Sequence, residues 1–312
     1  MVEGKENQSA SAERGAQRCG FVALVGAPNA GKSTLTNRMV GVKVAIVTHK
    51  AQTTRARIRA IVIEGQTQII LVDTPGIFEP KRRLDRAMVG SARDEAKDAD
   101  IVVLLIDAAK GLDESAKTAI KVLTDLRIKL VLCLNKIDRL RKEALLALTK
   151  EVTGEADFGN VFMISALNGS GVDDLRHYLA EALPEGPWLY PEDQIADIPL
   201  RMSAAEITRE KIYLRLHDEL PYSSTVETTG WKSLKDGSIR IEQTIYIERD
   251  SQKKIVLGKS GQTIKKISME AREDIGEMVG GKVHLFLFVK VRGRWAEDPE
   301  RYREMGLEFP KS

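Results

Sequence analysis

The sequence predicts an α/β domain built on a mostly parallel sheet, followed by a smaller α+β domain. Three observations carry that expectation. A glycine-rich phosphate-binding pattern directly follows an unbroken apolar run, Phe21 to Val25. Further apolar runs then alternate with helix-like stretches as far as residue 183. After a proline-rich break the pattern changes to strands with alternating polarity, each with one covered face. The chain of 312 residues is 43% hydrophobic and 30% charged, which is room for two cores at about 150 residues per domain.

Residues 1–19 are polar, include Glu3, Glu6 and Glu13, and lack an apolar core. They are expected to form a disordered tail rather than a signal peptide. Phe21 to Val25 has the continuous apolar character of a strand buried on both faces. Gly26-Ala27-Pro28-Asn29-Ala30-Gly31-Lys32-Ser33, followed by Thr34, has the spacing of a phosphate loop. Leu35, Met39 and Val40 come next at helical spacing. The glycines let backbone N–H groups close around a polyphosphate at the positive end of that helix. Lys32 can reach the β- and γ-phosphates, and Ser33 can offer its hydroxyl to Mg²⁺.

A polar loop, Lys50 to Arg57, precedes a strand-like segment, Ile58 to Glu64. A threonine in this loop can complete the Mg²⁺ shell. Thr54 is preferred over Thr53, although spacing hardly separates them. Ile69 to Val72 runs into Asp73-Thr74-Pro75-Gly76. A carboxylate at the end of a buried strand is where a nucleotide enzyme holds its Mg²⁺-linked acid. Gly76 can turn an N–H towards the γ-phosphate. The next strand, Ile101 to Ile106, ends at Asp107, and a helix is expected over Asp113 to Leu126.

Leu130 to Leu134 leads into Asn135-Lys136-Ile137-Asp138. A carboxylate at Asp138 can accept hydrogen bonds from the N1–H and N2 amino group of guanine, which adenine does not offer. Asn135 is expected to tie this loop to the phosphate loop, with the Lys136 stem over the base. Val161 to Ile164 leads to Ser165-Ala166-Leu167, where the Ala166 N–H is placed for guanine O6. A helix over Val172 to Leu183 closes the domain.

Residues 20–183 resemble a translation-factor-type GTPase domain. The segments G-A-P-N-A-G-K-S, K-A-Q-T-T-R, D-T-P-G and N-K-I-D together resemble the Era family of GTPases. The resemblance implies a P-loop GTPase that cycles between GTP and GDP with Mg²⁺, with Lys32, Thr54, Asp73, Gly76 and Asn29 at the reaction. Related GTPases with an asparagine at the Asn29 position use it to help hold K⁺; the alternative is that Asn29 only shapes the loop. Ras-like enzymes carry a water-orienting glutamine where this chain has Ile77. No side chain is a convincing general base, and slow intrinsic turnover is expected.

Three prolines and a glycine between Leu183 and Pro191 mark residues 184–200 as a linker. From residue 201 a helix is expected over Ala204 to Leu220, with strands over Ser238 to Glu248 and Val283 to Val291. Between the strands, Gly258-Lys259-Ser260-Gly261 opens a helix whose apolar positions are Ile264, Ile267, Ala271, Ile275 and Met278. Five lysines and no acidic residue lie between Ser251 and Ser268. A glycine turn at a helix start admits a nucleic-acid backbone, and lysines attract phosphates. The element order from 201 to 312 is similar to a type II KH domain, which clamps about four nucleotides of single strand. RNA contacts are then expected from Ile255, Val256, Gly258, Lys259, Ser260, Gly261, Ile264 and Lys265. Arg292, Arg294 and Trp295 read equally well as RNA contacts or as ordinary surface.

Cys19 and Cys133 have no metal or redox spacing, the cysteine usage of a reducing compartment. No run approaches the roughly 18 apolar residues of a membrane span. The resemblance as a whole implies a monomeric GTP-hydrolysing switch that binds the 3′ end region of 16S rRNA and assists maturation and assembly of the small (30S) ribosomal subunit. It also implies a cytoplasmic location and a peripheral association with the inner membrane, for which no anchoring segment is visible. A GTP-gated RNA chaperone or scaffold with negligible turnover remains open. A metabolic P-loop kinase is disfavoured by Asn135 to Asp138 and by the KH-like half.

Overall fold

The structure, a computed structural model, describes residues 16–310 apart from 51, 52, 56, 127, 129 and 218. Most of the expected tail, residues 1–15, and part of the polar loop at 50–57 lie outside the described residues. The end of that tail is corrected, because β1 (Arg18–Gly26) already begins at Arg18, paired with Thr67.

The first half continues through α1 (Lys32–Val40), β2 (Ile58–Glu64), β3 (Thr67–Asp73), α2 (Arg83–Asp98) and β4 (Ile101–Asp107). It then runs through α3 (Glu114–Thr124), β5 (Leu130–Asn135), α4 (Lys142–Thr153), β6 (Phe158–Ile164) and α5 (Val172–Ala182). The sheet has the order β6-β5-β4-β1-β3-β2-β7, where β7 is Ala196–Asp197. It is parallel from β6 to β3, with β2 and β7 antiparallel at one edge.

Both faces are covered, which explains the unbroken apolar strands. Val22 and Leu24 pack with Leu35 and Met39 of α1 and Leu175 and Leu179 of α5. Ala23 and Val25 point the other way, among Ala92 and Ala96 of α2, Ile120 of α3 and Val152 of α4. Parallel pairing brings the carboxyl ends of β1, β3, β4, β5 and β6 to one edge, where an open α/β sheet places its ligand.

The second half contains α6 (Leu200–Arg215), β8 (Thr225–Ser233), β9 (Ile239–Ile247), α7 (Asp250–Leu257), α8 (Gln262–Val279), β10 (Val283–Val291) and α9 (Pro299–Glu304). Its sheet runs β10-β9-β8, parallel between β10 and β9 and antiparallel between β9 and β8. Ile212 of α6, Val256 of α7 and Ile267 of α8 share a core with Ile245 and Ile247 of β9. The first helix is shifted from its expected span: α6 begins at Leu200, behind Pro199, and ends at Arg215. Helix α7 was not expected, since eight residues burying one side chain leave no readable period.

The linker is held against the first sheet. Gln68 Oε1 accepts from the backbone N–H groups of Leu189 (2.9 Å) and Tyr190 (3.0 Å). Trp295 is 1% exposed and packs with Leu84 and Met88 of α2 and with Tyr302. Its indole N–H donates to Ser223 O at 2.9 Å. Trp295 is therefore part of the junction between the halves and not a surface aromatic. Cys19 and Cys133 are both buried free thiols. Among the described residues no helix is long and apolar enough to cross a membrane.

Candidate nucleotide and RNA sites

At the carboxyl edge of the first sheet a cavity of about 440 Å³ runs from the phosphate loop to the N-K-I-D loop. Gly31, with φ 103°, makes the loop possible. A Cβ there would lie 2.1 Å from Asn135 Nδ2. Lys32 is folded back, its Nζ donating to Gly26 O and Ala27 O at 3.1 Å each. Burial pulls its pKa down to about 8, although the Asp73 charge works the other way. Such an ammonium is pre-placed to meet an anion.

Ser33, Thr54 and Asp73 converge beside it. Ser33 Oγ donates to Asp73 Oδ2 at 2.6 Å and lies 2.9 Å from Thr54 Oγ1. Asp73 is fully buried, and burial lifts its carboxyl to about 6 against the Ser33 hydrogen bond, the Lys32 charge and the Thr54 hydrogen bond. Its Oδ1 is buried with no hydrogen-bond partner among the described residues. An all-oxygen donor set with an orphaned carboxylate oxygen fits a hard divalent cation such as Mg²⁺. The geometry also separates the two threonines. Thr53 Oγ1 turns into its own loop, onto Lys50 O (2.8 Å) and Thr48 Oγ1 (2.7 Å). Gly76 packs so closely on Pro28 that a Cβ would sit 2.9 Å from Pro28 N. Ile77 is fully buried in the α2-side core, its N–H donating to Gly26 O at 3.0 Å.

At the other end, Asn135 Nδ2 donates to Ala30 O at 2.8 Å, while Oδ1 accepts from the N–H groups of Lys136 (2.8 Å) and Ala166 (2.9 Å). The Ala166 N–H, expected to meet guanine O6, is given to Asn135 Oδ1 here and braces the loop at the cavity wall. Lys136 Nζ binds Asn29 O (2.8 Å) and Asp107 Oδ2 (2.6 Å). Asp107 was not assigned a role from the sequence. Its position at the end of a buried strand, like that of Asp73, was the available signal. Asn29 Nδ2 donates to His49 O at 2.8 Å, joining the phosphate loop to the residue just before the polar loop. Asp138 is exposed at the mouth, and Ser165 is buried behind Ala166 and Leu167.

In the second half, Gly258 adopts φ 71° and would bring a Cβ to 2.1 Å from Thr263 Oγ1. The turn between α7 and α8 therefore admits only glycine without a shift. Lys254, Lys259, Ser260, Lys265 and Lys266 are exposed around it, and Ile255 is 57% exposed. Ile264 is half-buried. Val256, expected to touch RNA, is fully buried in the core with Ile212 and Ile245, because its helix turns it inward.

Residues 21–136 match the family model described as 50S ribosome-binding GTPase, and residues 219–296 match that of the KH domain. The chain is thus a P-loop GTPase with a C-terminal KH domain. It is 61% identical to GTPase Era of Brucella suis biovar 1 over 99% of this chain and all of that protein. It is 64% identical to GTPase Era of Afipia carboxidovorans over 94% of this chain and 96% of that protein. The fold is similar to a crystal structure of Era in complex with MgGDPNP and nucleotides 1506–1542 of 16S ribosomal RNA, with TM-score 0.88 and 37% identity over 93% of this chain and 99% of that one. An Aquifex aeolicus Era variant bound to GDP·AlF4⁻ matches with the same TM-score, identity and coverage. The chain belongs to the GTPase Era family.

Proposed function

We propose that the chain is a GTP-operated switch whose KH half binds the 3′ end region of 16S rRNA and that it serves maturation of the 30S subunit. The carrying observation is the convergence of Ser33, Thr54 and the orphaned Asp73 oxygen beside Lys32, at one end of a cavity whose other end holds Asp138. The similarity to Era solved with a GTP analogue and 16S rRNA nucleotides supports the ligand assignments.

In this reading Lys32 exchanges the carbonyls of Gly26 and Ala27 for the β- and γ-phosphates. Ser33, Thr54 and Asp73 hold Mg²⁺, which when bound supplies charge neutralisation at the phosphate oxygens. The Gly76 N–H faces the γ-phosphate, and Asp138 selects guanine. Water attacks the γ-phosphorus in line, and the bond to the β-γ bridging oxygen breaks. Catalysis is then positioning and electrostatic stabilisation, since Ile77 supplies no polar group. Asn29 supports stimulation by K⁺, which phosphate release in K⁺ against Na⁺ tests directly.

The exposed lysines and Ile255 around Gly258 to Gly261 form the RNA clamp. The deciding experiment is binding of a short single-stranded RNA from the 3′ end of small-subunit rRNA. It compares protein loaded with a non-hydrolysable GTP analogue, GDP-loaded protein, and a Gly258→Asp, Gly261→Asp double variant. Binding strongest with the analogue and lost in the variant supports the reading. Binding indifferent to nucleotide and to the glycine turn refutes it.

A further inference from the structure

The polar loop that carries Thr54 is fastened to the second domain on both sides of that residue. The Val47 N–H donates to Glu210 Oε1 of α6 at 2.9 Å. Lys50 Nζ donates to Tyr213 O at 2.5 Å and to Leu216 O, where its charge suits the negative C-terminal end of α6. The residue before Thr54 gives its carbonyl to the guanidinium of Arg209, which also pairs with Glu206. The residue after Thr54 is Arg55. Its guanidinium is buried in the second domain, donating to Ser224 O (2.7 Å), Tyr222 O (3.1 Å), Pro221 O (3.3 Å) and the Tyr213 hydroxyl (2.9 Å).

We propose that Arg209, on the KH side of the chain, is a positioning residue for GTP hydrolysis: through Thr53 O, and together with Arg55, it sets Thr54 beside Ser33. The inference rests on the assignment of Thr54 to the metal of the GTP-bound state. Arg209 is not among the residues that line the nucleotide cavity and acts through the loop. It is 1% exposed and its Nη1 has no hydrogen-bond partner among the described residues; the same holds for Arg55 Nε. Two buried arginines with orphaned donors are costly for a purely structural joint. Arg209 instead holds the peptide before Thr54, while Arg55, the residue after it, plants its own side chain in the second domain. GDP lacks the γ-phosphate that brings Thr54 into use, so the clasp contributes to GTP binding and not to GDP binding. By reciprocity, GTP then tightens the contact between loop and α6 by the same factor that the contact tightens GTP.

The test uses the full-length chain with Arg209→Met, Lys50→Met and Thr54→Ala. Affinities for GDP and for a non-hydrolysable GTP analogue are measured with Mg²⁺, alongside kcat, KM and thermal unfolding. Arg209→Met is expected to weaken the analogue about tenfold, the loss of roughly one charge-assisted hydrogen bond, with GDP changed less than about twofold. Lys50→Met is expected to shift the ratio in the same direction by about threefold, and it lies in a loop where it leaves the domain cores intact. Equal losses for both nucleotides, or none, overturn the proposal. If Arg209→Met fails to fold, Lys50→Met decides alone, and an unchanged ratio overturns it. Thr54→Ala separates the two levels. A ratio that survives Thr54→Ala sinks the metal assignment, whereas a ratio that collapses there but survives both clasp variants sinks only the clasp.

Discussion

Replacing Asn135 with alanine removes one side chain and three hydrogen bonds, each to a different nucleotide-binding segment. The partners are Ala30 O, the Lys136 N–H and the Ala166 N–H, at 2.8 to 2.9 Å. Asn135 is 1% exposed, Ala30 1% and Ala166 2%, so at Ala30 and Ala166 water cannot readily replace the lost partner without opening the loops. At a net ~1 kcal/mol per hydrogen bond the variant loses about 3 kcal/mol. For a domain of this size that lowers the melting temperature by roughly 6–12 °C. Nucleotide must then organise loops that arrive organised in the parent, so GDP affinity is expected to fall roughly 30- to 100-fold. Thermal unfolding and calorimetric GDP titration of the pure variant check both numbers. A melting shift below about 2 °C, or GDP affinity within about twofold of the parent, would refute the bracing argument.

Asp138→Asn exchanges a two-acceptor carboxylate for a carboxamide; GDP should bind at least about 100-fold more weakly, and a xanthosine diphosphate, with its 2-oxo group, should now compete better than GDP. Trp295→Ala empties the space among Leu84, Met88 and Tyr302 and strips the donor from Ser223 O; it should cost about 3–5 kcal/mol and show as a lower urea midpoint. Asp274 accepts from Lys211 (2.6 Å) and Lys43 (3.0 Å). Partial burial works against its charge, but the two lysines win and hold its carboxyl below 3.8. Its contribution is therefore present above that value and lost as pH falls through the lower folded-state value. Asp274→Asn should be less stable than the parent at pH 7, by under about 1 kcal/mol given its exposure, and the two urea midpoints should converge as the pH drops below the folded-state value.

Local chemistry is legible without coordinates when a function is performed by consecutive backbone groups. A phosphate loop needs Gly31 where a Cβ would strike Asn135, and the KH turn needs Gly258 where it would strike Thr263. Those requirements write themselves into adjacent residues, as do the strand-end positions of Asp73 and Asn135. The continuous apolar strands likewise announced a sheet covered on both faces. Helix α7 escaped because one buried residue in eight makes no pattern.

The sequence by itself determined the two fold types, their order, the phosphate and guanine motifs and the glycine turn for RNA. Tertiary structure alone decided that Thr54 rather than Thr53 lies beside Ser33, that Val256 and Trp295 are core, and that the Ala166 N–H is used by Asn135. It also decided that Arg209 reaches a carbonyl 156 residues away. The physical reason is distance along the chain. Periodicity and motif spacing report what a segment needs from its immediate neighbours, whereas a side chain's burial and its hydrogen-bond partner are set by whichever remote segment packs against it.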